Sequence, residues 1–357
     1  MKNNKLKKKI TFFYSDHIEK STWLNLKERS EIRGYKTNFS KNLEKKAEIG
    51  FYNHDQNLEN KAKLSIISLH GMDQGRSNWP NAWIKTRWDL YDIGLLPGKK
   101  WAKLWRSSSH NNRANPKKGV YKVGWSKADN IDSKIFKDKV NKIKKKLNPQ
   151  KKTILYAPTF ETDDKQLDIL NLAKKLKLNL MIKHWASKDY KIYSDIFKNT
   201  VKMNKISKKE YKDTFTFPPK SNIFLYLASA DILITDESSV MYEAMLFNVP
   251  TVIPNSWNMR INNSNKPRKI KPSTDAYLSC SLQDLPKNIS YILENKNKIR
   301  KIIKKQKFLH FSYIKKSSDR ILDLLDKMIC GKNLEKGIMK KKNSEKSFFE
   351  RLYLKIK

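Results

Sequence analysis

Ala230-Asp-Ile-Leu-Ile-Thr-Asp-Glu-Ser-Ser-Val-Met-Tyr-Glu-Ala244 is the stretch from which the fold is read. Ile232 to Ile234 is a short apolar run rich in β-branched residues, the mark of a buried strand. Thr235, Asp236, Ser238 and Ser239 follow, all residue types that cap helices. A helical apolar pattern then starts at Val240, Met241 and Ala244. A strand feeding a serine-capped helix aims backbone N–H groups and a positive dipole end at the C-terminal edge of a sheet. Such a place suits an anion, phosphate above all, and Glu243 one turn further in suits ribose hydroxyls. An ordinary strand-to-helix turn with a good cap has the same pattern.

The remainder of the chain repeats this grammar. Ile10 to Tyr14, Ile49 to Tyr52 and Leu64 to Leu69 read as strands, and Glu19 to Arg33 as a helix. Leu64 to Leu69 ends abruptly in His70-Gly71-Met72-Asp73-Gln74-Gly75-Arg76. A histidine at a strand exit lies where open α/β sheets bind ligands, and imidazole titrates near neutral pH. A structural histidine bonding a loop backbone would look the same. Trp79 to Tyr91 reads as a helix, Arg106 to Lys118 as a mobile loop, and Tyr121 to Gly124 as a short strand. The basic run Lys137 to Lys152 is placed as the linker, near residue 150. Beyond it, Thr153 to Ala157, Asn179 to Lys183 and Val249 to Pro254 read as strands. Leu167 to Leu176 and Ile223 to Ala228 read as helices, and Leu285 to Ile329 is mostly helical.

The expected fold class is therefore α/β: two Rossmann-like domains facing a central cleft, each with a histidine at a strand exit. The expected divisions are an acceptor-side domain over 1–149, a nucleotide-binding domain over 150–330 and a basic amphipathic tail over 331–357. A length of 357 residues suits two domains with their own cores. Cys280 and Cys330 do not make a disulfide scaffold. No stretch approaches the roughly 20 apolar residues of a membrane-spanning helix, and the basic start lacks the long apolar run of a signal peptide. The net charge of +41 points either to a polyanionic partner or to lysine-rich compositional drift, since Lys, Asn and Ile crowd the whole chain. Phe348, Phe349, Leu352, Tyr353 and Ile356 fall on one face of a basic helix. Such a helix suits a membrane interface, or packs back on the first domain.

Five stretches in this order resemble the CDP-glycerol glycerophosphotransferases, the teichoic-acid polymerase and primase group. They are His70-Gly71, Gly124-Trp125-Ser-Lys-Ala-Asp129, Ile154-Leu-Tyr-Ala-Pro-Thr159, Ile182-Lys-His184 and Asp231 to Met245. The resemblance covers roughly residues 64 to 255. It implies a GT-B fold and a peripheral enzyme on the cytoplasmic face of the cell membrane. It implies a CDP-polyol donor, a glycopolymer or lipid-linked acceptor, and transfer of a polyol phosphate with release of CMP. By motif, His70 would be the base on the acceptor hydroxyl, and His184 with Lys183 would contact the donor pyrophosphate. Ser238 and Ser239 would hold phosphate, Glu243 the ribose, and Pro158 and Thr159 would line the nucleotide pocket. Gly71, Asp73, Arg76 and Lys127 complete the substrate-binding set that the resemblance implies.

The chain departs from the pattern in four places. Arg76 is the first cation after His70-Gly71, Trp185 stands for a frequent Pro, Ser126 for another, and Ile182 for an Arg. No Asp or Glu cluster has metal-ligand spacing, so neither metal nor cofactor is expected. Two other functions remain open on the sequence: a nucleotide-sugar glycosyltransferase of the same fold, and a non-catalytic module that binds a polyanion. Nucleic acid is not an expected partner, because no recognised nucleic-acid motif is present and the aromatics follow core periodicity.

Overall fold

The computed structural model describes residues 8–53, 61–69, 71–72, 83, 86–185, 194–261, 264–270 and 277–339. The chain divides into two compact units, residues 1–130 with 308–357, and residues 131–307. The first unit thus ends at Asn130 rather than near residue 150, and the chain returns to it at Phe308.

The first unit is built on a six-stranded sheet of β1 (Lys9–Phe13), β2 (Lys36–Ser40), β3 (Ala47–Tyr52), β4 (Ala62–Ser68), β5 (Ile93–Leu96) and β6 (Val120–Lys122). Its strand order is β2-β1-β3-β4-β5-β6, and every pairing is parallel. Strands with helices on both faces must be apolar throughout, which is how Ile66-Ile67 and Ile93 to Leu96 read. Helix α1 (His17–Ile32) starts at Asp16, whose carboxylate accepts from the N–H groups of Ile18 and Glu19 at 2.8 and 2.9 Å. The polar edge strand β2 and the four-residue β5 were not anticipated; Gly94 in β5 leaves room for the ring of Trp88.

Two expectations for this unit change. Most of the expected helix over Trp79 to Tyr91 lies outside the described residues, and its described end, Trp88–Leu90, is a single 3-10 turn. Arg106 to Lys118, expected as a mobile loop, is partly helical and hydrogen-bonded. Helix α2 (Lys99–Ser108) enters it, and the Trp105 indole donates to the Ala114 carbonyl at 2.8 Å. The Asn115 amide donates to the carbonyls of Ser109 and Asn111 at 2.9 and 2.7 Å. Its Ser and Asn side chains satisfy turn backbone instead of meeting water.

The second unit opens with α3 (Lys134–Lys144), so the expected linker is a helix; its Phe136 ring stacks on Phe247. The second sheet contains β7 (Thr153–Tyr156), β8 (Asn179–Lys183), β9 (Thr214–Phe217), β10 (Ile232–Ile234), β11 (Thr251–Pro254) and, after a short antiparallel ribbon of β12 (Asn258–Ile261) and β13 (Ser264–Lys269), β14 (Leu278–Cys280). Its order is β14-β11-β10-β7-β8-β9, again all parallel. Helices α4 (Lys165–Lys175), α5 (Ser194–Glu210), α6 (Ile223–Leu227) and α7 (Val240–Leu246) make the crossovers, and α8 (Leu285–Glu294) and α9 (Lys296–His310) follow. The core is the strands themselves: Ile154 to Tyr156, Leu180 to Ile182 and Ile232 to Ile234 are all fully buried.

The last described helix, α10 (Ser317–Ile329), belongs to the first unit. Ile321, Leu322, Leu324 and Leu325 join the same core as Ile10, Phe12, Trp23 and Leu26. Arg29 on α1 and Arg33 just past its end pair with Asp319 and Asp323 at 2.8 and 2.7 Å. Beyond α10, the Ile338 N–H bonds the Val120 carbonyl at 2.8 Å, so the tail up to Met339 also lies on the first unit. The amphipathic stretch expected near the end, from Phe348 to Ile356, lies outside the described residues.

Candidate active site

In the second unit, β7 is the first strand, and its neighbours are β8 on one side and β10 on the other. The crossovers leave β7 and β10 in opposite directions, and the carboxyl ends of two such strands are where open α/β sheets bind ligands. Pro158 and Thr159 follow β7, and Thr235 to Ser239 follow β10. The parallel register sets Tyr156 beside Ile234 and Tyr156 beside Ile182, so His184 leaves the same edge one strand away.

Side chains join these exits. The Thr235 hydroxyl donates to the Ala157 carbonyl at 2.6 Å. Thr159 donates its backbone N–H to both carboxylate oxygens of Asp236 at 2.9 Å, and its hydroxyl to Oδ1 at 2.8 Å. Asp236 is fully buried. Burial raises its pKa, while the Lys165 charge and the Thr159 hydrogen bonds act the other way. The sequence shows Asp236 as a capping type; its partner is 77 positions away, which no local pattern reveals.

Ser239 is the residue before α7, and its side chain makes no capping bond. Its carbonyl accepts from Tyr242 N–H at 3.0 Å, and the Ser238 hydroxyl accepts from Val240 N–H at 3.4 Å. Both serines are half-buried. Helix α7 is seven residues long, so its dipole is that of two turns at most. Glu243, in its first turn, is 3% exposed.

His184 is also 3% exposed. Its Nε2 lies 2.7 Å from Gln166 Oε1, and its ring stands edge-on to Tyr156 with centroids 5.9 Å apart. Burial, with the Lys183 charge beside it, lowers its pKa to about 3. The imidazole is therefore neutral at physiological pH, and cationic charge at this strand exit comes from Lys183. The Lys183 ammonium donates to the Pro219 carbonyl at 2.7 Å.

Beneath His184 runs a buried polar network that the sequence reading missed. Tyr156 donates its hydroxyl to Glu161 Oε2 at 2.6 Å, and Gln166 N–H donates to Glu161 Oε1 at 3.0 Å. Lys165 is buried, bonds the Thr162 hydroxyl at 3.2 Å and lies over the Trp257 ring. The available signal was Lys165-Gln166 at the start of an amphipathic helix, soon after the Pro158-Thr159 exit.

In the first unit, His70, Asp73 and Arg76 lie outside the described residues. Gly71 is buried, and the next carbonyl, of Met72, accepts from the Trp101 indole at 3.2 Å. Lys127 lies in the 3-10 turn Ser126–Ala128, and its carbonyl accepts from the Asn25 amide at 2.9 Å.

At the β7 and β10 exits Thr159 is bonded to Asp236, and Lys183 and His184 stand at the end of the neighbouring strand β8. A sequence search of curated proteins finds no match. Among solved structures, a variant of the wall teichoic acid polymerase TagF is 15% identical with a TM-score of 0.62, covering 92% of this chain and 90% of that one. The same polymerase soaked with CDPG is 16% identical with a TM-score of 0.59, over 92% of this chain and 91% of that one. UDP-GlcNAc 2-epimerase from Neisseria meningitidis, bound to UDP-GlcNAc, is 12% identical with a TM-score of 0.58, over 89% of this chain and 100% of that one. At these identities the likeness is one of fold, the two-unit GT-B-like α/β architecture. The family model of the CDP-glycerol:poly(glycerophosphate) glycerophosphotransferases matches residues 85–326, which take in the whole second sheet and the last two strands of the first, and the chain belongs to that family of phosphotransferases.

Proposed function

We propose that this chain transfers a polyol phosphate, glycerol phosphate in the first place, from a CDP-polyol to an acceptor hydroxyl in teichoic-acid-like or capsular polymer synthesis. The acceptor oxygen attacks the phosphorus that carries the polyol. A new P–O bond forms, the bond to the bridging oxygen breaks, and CMP leaves with that oxygen. The acceptor proton passes to His70. The single observation that carries this reading is the family match running through the β7 and β10 exits, which carry Pro158 and Thr159 on one side and Ser238 and Ser239 on the other.

The remaining roles follow from chemistry. Ser238 and Ser239 offer hydroxyls to phosphate, and Lys183 supplies positive charge toward the donor diphosphate and the CMP phosphate that leaves. Glu243 accepts from ribose hydroxyls. Gly71, Asp73, Arg76 and Lys127 serve the acceptor side. The acceptor is a lipid-linked or glycopolymer hydroxyl, and the enzyme works at the inner face of the membrane, where a net charge of +41 favours an anionic surface. Among the described residues no helix is long and apolar enough to cross a membrane.

The test is nucleotide release by purified protein offered CDP-glycerol, CDP-ribitol and UDP-sugars. CMP from a CDP-polyol supports the reading; a nucleoside diphosphate from a UDP-sugar replaces it with glycosyl transfer. His70→Ala lowers turnover by about 10²–10⁴-fold with the fold retained, as expected for loss of a general base, and His184→Ala lowers it through weaker donor binding. Unchanged turnover in both would return the chain to a binding role.

A further inference from the structure

We propose that Gln166 is a positioning residue for His184: it holds the imidazole as the Nε2–H tautomer, so that Nδ1 is presented as an acceptor for a ligand hydroxyl. The proposal rests on the reading above for the identity of that ligand, the CDP-polyol donor.

The geometry fixes each end of the arrangement. Gln166 Oε1 only accepts, so at 2.7 Å it takes a proton carried by His184 Nε2. The Gln166 Nε2 donates to Ser207 Oγ at 2.8 Å and to Asn204 Oδ1 at 3.3 Å, and turning the amide over would set its oxygen against the Asn204 oxygen. Its backbone N–H is held by Glu161 at 3.0 Å. Gln166 and Ser207 are both fully buried, so no water competes for these bonds. The carbonyl oxygen therefore faces the imidazole in a set orientation. A neutral imidazole has one N–H and one lone pair, and with Nε2–H committed inside the fold the lone pair is on Nδ1.

The consequence is chemical. A phosphate oxygen is itself an acceptor and is repelled by a lone pair. A hydroxyl, of the ribose or of the polyol, donates to it. In this arrangement His184 recognises the hydroxyl-bearing part of the donor, and the charge of the diphosphate is met by Lys183. The seat of Gln166 in the first turn of α4 makes its position a property of the fold rather than of the ligand.

Long-range proton–nitrogen NMR of histidine-labelled protein reads which ring nitrogen carries the proton, with His184→Gln locating the resonance. In the wild-type chain at pH 7 the expected signal is a neutral ring protonated at Nε2. In Gln166→Met the acceptor is gone, and the expected signal moves to a mixture or to Nδ1–H. Gln166→Glu keeps an accepting oxygen and restores the Nε2–H form. In parallel, the Kd for CDP-glycerol rises about tenfold in Gln166→Met, the worth of one hydrogen bond, and recovers in Gln166→Glu. CMP and inorganic pyrophosphate complete the binding set. Weakened CMP binding assigns the hydroxyl to ribose, and weakened CDP-glycerol binding alone assigns it to the polyol. A wild-type ring protonated at Nδ1, a Gln166→Met ring still wholly Nε2–H, or equal weakening of inorganic pyrophosphate overturns the proposal. Failure of the wild-type chain to bind CDP-glycerol at all sinks the donor assignment, while the tautomer measurement still decides the role of Gln166.

Discussion

Glu161 and His184 sit 23 positions apart on one buried network, and burial moves their titrations in opposite directions. Burial pushes Glu161 up to about 7, against hydrogen bonds from Tyr156 and the Gln166 N–H and the charge of Lys165. Below about pH 4.5, the ordinary value, the carboxyl is protonated in both folded and unfolded chains. Between there and pH 7 the unfolded chain gives up its proton and the folded one keeps it, so this group's contribution to stability falls as pH rises. Glu161→Gln removes that slope. Thermal midpoints at pH 5 and pH 8 check it: relative to wild type, the variant gains stability on going to pH 8, and parallel midpoints would refute the burial argument. For His184 the sign is reversed. Its folded pKa is depressed, so stability is full above 6.5 and declines as the pH falls toward 3. The sequence alone located His184 by its strand exit, because apolar runs reveal strands. It did not reveal that the ring is neutral, since that depends on enclosure by Tyr156 and Gln166, residues brought in from elsewhere. Asp236 was visible for the same reason as His184, and its partner Thr159 was hidden for the same reason.

At the scale of elements, the short turn after β6 holds the end of the chain. Asp129 accepts from the N–H groups of Ser317 and Ser318 at 2.9 and 2.6 Å, and so caps α10 from a distant part of the sequence. The residue just before α10, Lys316, supplies no side-chain cap. Gly124, at φ +91°, lies against Ser317 and the Ser312 carbonyl, where a Cβ would collide with both. Asp129→Ala costs about 0.5–2 kcal/mol, the ordinary worth of an N-cap. Gly124→Ala costs more, because strain at positive φ adds to the collision. Chemical denaturation of both variants checks the order, and a Gly124→Ala chain as stable as wild type would mean that α10 docks without this turn. The Gly124 to Asp129 stretch carries part of the family resemblance, and the structure gives it this docking task as well. That task was not legible from sequence, because a cap and its helix separated by 188 positions leave no local signature. The parallel strands were legible, since Ile154 to Tyr156 and Ile232 to Ile234 are continuous apolar runs. Edge strand β2, Lys-Thr-Asn-Phe-Ser, was not, because an edge needs no such run.

Over the whole molecule, the chain makes its first sheet, then its second, and returns at Phe308 to complete the first unit with α10. The boundaries near 150 and 330 were drawn from a basic run and from composition. Such runs mark solvated faces as readily as linkers, and here Lys137, Lys139, Lys142 and Lys144 lie on the exposed face of α3. What charge does predict is attraction. Residues 340–357 carry seven basic and two acidic side chains, so deleting them removes five of the 41 net positive charges. Each Lys or Arg near an anionic membrane is worth about 1 kcal/mol, and the attraction is screened over a Debye length of about 10 Å at 0.1 M salt. Sedimentation with anionic and neutral liposomes therefore separates two causes. If the tail is a membrane anchor, its deletion lowers binding to anionic vesicles at every salt concentration, and the aromatic face from Phe348 to Ile356 leaves residual binding in the full chain at high salt. If the positive charge is only spread over the surface, the deleted and full chains bind alike at low salt and both release together as salt rises. Unchanged binding on deletion removes the tail from the membrane argument and places the attraction on the two folded units, where lysines of α3, α5 and α9 remain.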